Sequence, residues 1–94
     1  MIATFAIMRH MNSKHRKTLE TLFAKPTTGT LKFSSIEALV IVLGGEVREG
    51  EGSRVALYLN GTATHAHRPH PGKEAKKYQI EEIRAWLVQQ GVTP

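Results

Sequence analysis

Cysteine is absent from this chain, and acidic residues are scarce. Eight Asp and Glu stand against thirteen Lys and Arg, a net charge of +5 over 94 residues. The missing thiols exclude disulfides and thiolate metal sites, and they agree with a reducing cytoplasm. No apolar run approaches the ~20 residues of a membrane helix. The short apolar stretch of Ile2, Ala3, Phe5, Ala6, Ile7 and Met8 has neither a basic segment before it nor a small-residue cleavage site after it. It therefore does not read as a signal peptide, and Met11 offers a second possible start. Aromatic residues are few, at 6%. The length allows one domain, and a hydrophobic fraction of 40% is enough for a core. The basic balance favours a polyanionic partner: RNA, DNA, an acidic protein or an anionic surface.

The pattern along the chain predicts helix, helix, three strands, helix. Ser13 to Ala24 carries a narrow apolar stripe of Leu19, Leu22 and Phe23, and Pro26 stops it by pushing the preceding residue out of helical geometry. Ser34 and Glu37 have the spacing of a capping box. Ile36, Leu39, Val40 and Leu43 then recur at the period of one buried helix face, and Gly44-Gly45 ends the helix. Glu46 to Arg48 predicts a short strand and Arg54 to Leu59 a second. Asn60-Gly61 is the strongest two-residue hairpin signal, and Thr62 to His67 returns as the third strand. After a polar loop, Ile80, Ile83 and Leu87 mark a final helix from about Gln79 to Gln90, with Trp86 beside the stripe as a core-edge anchor.

The hairpin signal also sets a register. A two-residue loop pairs Leu59 with Thr62, Tyr58 with Ala63, Leu57 with Thr64, Ala56 with His65, Val55 with Ala66 and Arg54 with His67. Side chains alternate between faces, so Val55, Leu57, Leu59, Thr62, Thr64 and Ala66 form the core side. Arg54, Ala56, Tyr58, Ala63, His65 and His67 form the open side. Metal-free RNA cleavage needs a base, an acid and a cation for the developing charge. Histidine suits the first two roles and arginine the third. The competing reading is a merely solubilising surface. Arg68, Lys73, Lys76 and Lys77 form a second basic group that suits phosphate contact, or equally a solvated charge run. His70 lies between Pro69 and Pro71, which stiffen its backbone. His65, His67 and His70 raise the question of zinc, but Glu74 is the only further donor nearby, so no metal site is predicted.

Several segments together carry a family resemblance. They are the Ser34–Gly45 helix, Gly52-Ser53 opening the next strand, Pro69-His70-Pro71-Gly72-Lys73-Glu74 with Lys76-Lys77, and Ile80 and Ile83 of the last helix. From Ser34 to Gly91 the chain resembles the HicA toxins of bacterial toxin–antitoxin pairs. That resemblance implies an α+β fold like that of double-stranded-RNA-binding domains: an α-β-β-β-α sandwich with a three-stranded antiparallel sheet and helices on one face. It implies a metal-independent mRNA endoribonuclease that needs no small-molecule cofactor and is held inactive by a HicB-type antitoxin. Residues 1–33 then form an extension with an extra helix, and residues 34–94 the family-like domain.

One departure bears on the chemistry. The family's catalytic histidine follows Gly-Ser, and here Arg54 stands in that place. Arginine cannot serve as a base at neutral pH. The register leaves His67 within reach of the same spot, so His67 is the candidate base, Arg54 the phosphate clamp, and His65 or His70 the second acid or base. Arg54, Tyr58, Arg68, Lys73, Lys76 and Lys77 are the candidate RNA contacts. The alternative is a silent site that only binds RNA or an antitoxin.

Overall fold

The computed structural model describes residues 11–94. The apolar stretch read against a signal peptide lies outside the described residues. The elements run α1 (Ser13–Phe23), α2 (Phe33–Val42), β1 (Glu46–Glu49), β2 (Arg54–Leu59), β3 (Thr62–His67) and α3 (Lys77–Gln89). The strands form one antiparallel sheet in the order β1-β2-β3. This is the α+β architecture that the sequence predicts.

The hairpin register matches the expectation at all of its pairs, from Arg54 with His67 to Leu59 with Thr62. Asn60 and Gly61 both have positive φ, at 53° and 77°. A two-residue turn needs this to match the twist of its strands. β1 joins the other side of β2, pairing Glu46 with Tyr58 and Arg48 with Ala56. Gly45 leads into it with no room to spare. A Cβ there would collide with the Tyr58 carbonyl and with Val40, so the crossing of α2 onto the sheet requires glycine.

One side of the sheet is covered. Val55, Leu57, Leu59 and Ala66 are buried against Ile36, Leu39 and Val40 of α2 and Ile80, Ile83 and Leu87 of α3. Trp86 is buried at the margin of this core, and its Nε1 donates to Thr62 Oγ1 at 2.9 Å. Thr62, predicted on the core side, is exposed at the strand end, and Thr64 is half-buried.

The helix α1 is part of this same core. Leu19 and Leu22 are buried in it, and the helix packs on α2 and α3. Its first turn is capped by the Asn12 side chain, which accepts from the His15 N–H at 3.0 Å. Arg84 of α3 closes its other end. The Arg84 Nε donates to the Leu22 carbonyl at 3.0 Å, and Nη2 donates to the Ala24 carbonyl at 3.3 Å.

The capping box at Ser34 does not form. The N-cap of α2 is Lys32, two residues before Ser34, and it makes no side-chain cap. Its lead-in is a bridge between Lys32 and Glu74, in which the Phe33 N–H donates to the Lys73 carbonyl and the Ala75 N–H to the Leu31 carbonyl. Phe33 thus finds a backbone acceptor from the loop, and Glu37 is drawn instead to Arg68.

Candidate nucleic-acid interface

Strand alternation carries Glu46 and Arg48 of β1, Arg54, Ala56 and Tyr58 of β2, and Ala63, His65 and His67 of β3 to the uncovered side of the sheet. Arg48, Arg54, Ala56, Tyr58, His65 and His67 line a shallow concavity of about 610 Å³ there.

Arg54 and His67 are the closest cross-strand pair at this end. The Arg54 N–H donates to the Glu51 carbonyl, and its own carbonyl accepts from the Gly50 N–H. Both of its backbone groups therefore point away from β3. Both backbone groups of His67 point the other way, to Gln79. The Gln79 Oε1 accepts from the His67 N–H at 2.8 Å, and its Nε2 donates to the His67 carbonyl at 3.0 Å. Such a pair, bonded outward on both sides, brings its Cα atoms to ~4.5 Å, nearer than a bonded pair. The arginine and histidine side chains leave the sheet side by side.

Ser53 constrains the His67 ring. Its Oγ lies 3.3 Å from Nδ1. When Nδ1–H donates to Oγ, the Nε2 lone pair is left facing outward, the tautomer a general base needs. His65 projects from the same face one pleat along, ~6.6 Å away by strand geometry. Arg54 makes no side-chain hydrogen bond or ion pair among the described residues.

The remaining sequence candidates lie elsewhere. His70 is exposed in the loop after β3 and does not line the concavity. Lys73 lines a separate depression beside Phe33 and Glu37. Lys76 is the N-cap of α3 and Lys77 its first residue. Arg68 is not a free cation. Its Nε and Nη2 donate to Glu37 Oε2 at 2.9 and 2.8 Å, and Nη1 donates to Glu49 Oε1 at 2.6 Å. Those bonds hold Arg68 well above the usual guanidinium range. The hydrogen bond from Arg68, and then its charge, hold the Glu49 carboxyl below the usual carboxylate range. Arg68 thus staples the loop to α2 and β1, and the predicted phosphate contact is occupied within the chain.

Two participants escape the sequence reading. Arg48 lies over the Tyr58 ring, 4.6 Å from its centroid. It is held there by Glu46, whose Oε1 accepts from Nε and Nη2, each at 3.0 Å. The alternation of β1 contained the signal, but only with the register of β1 against β2 in hand. Gln79 is the other. In the sequence it is one polar residue just ahead of the Ile80–Ile83–Leu87 stripe, and nothing local pointed it at His67.

Helices packed on one side of a small antiparallel sheet, with arginine and histidine on the bare side, define an α+β protein with a basic open face. The chain belongs to the HicA toxin family: the model described as "HicA toxin of bacterial toxin-antitoxin" matches residues 33–92, well over half of the sequence. It is a toxin-family member whose counterpart is an antitoxin. No curated protein and no solved structure matches the chain. No helix among the described residues is long and apolar enough to cross a membrane.

Proposed function

We propose that this chain is an mRNA endoribonuclease of the toxin–antitoxin type, acting in the cytoplasm and restrained by a HicB-type antitoxin. His67 takes the proton from the ribose 2′-OH. The resulting oxyanion attacks the adjacent phosphorus, and the bond to the 5′-oxygen breaks. His65 gives that leaving oxygen its proton. The products are a 2′,3′-cyclic phosphate and a free 5′-hydroxyl, so protons and electrons balance without a metal or cofactor. Arg54 holds the phosphate and offsets the charge on its equatorial oxygens.

The observation that carries this reading is the adjacency of Arg54 and His67 with His65 on the same exposed face. It supports a site in which the arginine occupies the family's histidine position and the base stands directly across the strand pair. His65 is the better acid than His70, which lies off the face.

The test is induction in a bacterial host of the wild type beside His67→Ala, with growth and mRNA integrity followed. Growth arrest and mRNA loss in the wild type alone support the assignment. A wild type that degrades no RNA favours the second reading, a silent module that only binds RNA or antitoxin. The observation behind that reading is Arg54 itself, which removes the base from its usual place.

A further inference from the structure

At the centre of the open face stands a small residue among large ones. Ala56 lies on the middle strand. Arg48 is its partner on β1 and His65 its partner on β3. Along β2, Arg54 and Tyr58 flank it on the same face. The methyl group of Ala56 is therefore the floor of a depression, and the four surrounding side chains are its walls. Tyr58 is likewise partnered by a small residue, Ala63, so its direct partner on β3 adds little bulk beside the ring. On the β1 side its ring carries the Arg48 guanidinium, fixed by Glu46. Arg48 Nη1 has no partner among the described residues. The space of about 610 Å³ lies within the ~300–1,000 Å³ range of small-molecule sites.

We infer that this depression over Ala56 is a nucleobase pocket that admits only an unpaired nucleotide, making single-stranded RNA the substrate class of the site. This rests on the reading of the open face as the RNA-cleaving surface, and it adds the element that selects the strand. Its chemistry follows from the walls. The stacked Tyr58 and Arg48 offer a flat, electron-rich and cationic platform, on which any base stacks through its π-face. Arg48 Nη1 is a donor suited to a base carbonyl or ring nitrogen. Arg54 and His67, at the other end of the depression, take the phosphate that follows the bound base. A base paired in a duplex presents only its edge, so it cannot enter between these walls without leaving its stack. Of the acidic residues nearby, Glu46 is paired with Arg48 and Glu49 with Arg68, while Glu51 at the rim has no ion-pair partner among the described residues. Arg54, likewise unpaired, is the cation at that end of the depression that a phosphate would meet.

The test uses a fluorescently labelled 2′-O-methyl oligonucleotide, which cannot be cleaved because the attacking hydroxyl is blocked. It is offered as a single strand and annealed to its complement. Binding is measured by anisotropy for the wild type, Ala56→Ile and Tyr58→Leu, with thermal melts to establish folding. Isoleucine suits a strand and fills the floor. Tyr58→Leu keeps the strand apolar and removes the platform, and it carries the test if Ala56→Ile does not fold. We expect the single strand to bind at least tenfold more tightly than the duplex, and each variant to lose roughly ten- to hundredfold, the worth of one stacked base. Equal binding of duplex and single strand overturns the pocket, as does wild-type affinity in the folded variants. Binding of neither strand also overturns it and leaves the face to a protein partner. If the single strand binds with this dependence but unmodified RNA survives intact, the pocket stands and the nuclease reading fails.

Discussion

The amide of Gln79 does for His67 what a fourth strand would do. β3 is an edge of the sheet, and edge strands leave backbone donors and acceptors unpaired. At His67 both groups are taken by one buried side chain from the first turn of α3. The glutamine thereby fixes the backbone from which the candidate base projects.

Gln79→Leu keeps the volume and removes both hydrogen bonds. We expect a loss of about 1–3 kcal/mol, the cost of leaving such groups unsatisfied, read from the urea midpoint. RNA cleavage should fall further than the folded fraction does, because His67 is then no longer held beside Arg54. Cleavage that tracks the folded fraction alone would assign Gln79 a purely structural role.

His67→Ala and His70→Ala should separate cleanly. Removing a general base costs roughly 10²–10⁴ in rate, so the first variant should be almost inert at unchanged thermal stability, since its side chain is exposed. The second should cleave nearly as well as the wild type. A reversed order would move the base role to the loop.

Acid should loosen the staple at Arg68. The Glu49 carboxyl is depressed, first by its hydrogen bond from Arg68 and then by the charge. A depressed carboxyl contributes stability above its unfolded value and loses it as pH falls through the folded one. Stability should therefore decline below the usual glutamate value of about 4.5, and the decline should be shallower in Glu49→Gln. Unfolding curves collected down a pH series for both proteins check this. Parallel profiles would mean that the exposed pair contributes nothing measurable.

Leu22→Ala tests whether α1 is an appendage. Leu22 is fully buried with Leu19 in the common core, so truncation should cost about 2–5 kcal/mol. It should also lower the melting temperature of the whole molecule in one transition. A separate early transition would mark α1 as an independent addition.

What the sequence disclosed follows a physical division. The β2–β3 register was readable because Asn60-Gly61 permits one tight turn, and every pair down to Arg54–His67 follows from it by counting. The buried faces of α2 and α3 were readable from period alone. The contacts that complete the site were not. Gln79 reaches back to His67, Arg68 reaches Glu37, and Arg84 closes α1, each across a long separation that only the packed fold brings together. Ser34 and Glu37 had the right spacing for a box, but the Lys32–Glu74 bridge supplied a competing partner that no local rule contains. Arg48 was hidden for a smaller reason: the turn Glu49–Gly52 does not fix how β1 lies against β2, so its place over Tyr58 could not be counted out.

The open face is encoded in one unbroken stretch, Glu46 to His67, whereas the residue that holds its last member comes later, in α3. During synthesis the meander can pair as soon as it emerges, since its contacts are local. Until Gln79 follows, the end of β3 is a frayed edge. A growing chain thus carries every side chain of the face before it carries the means to hold them.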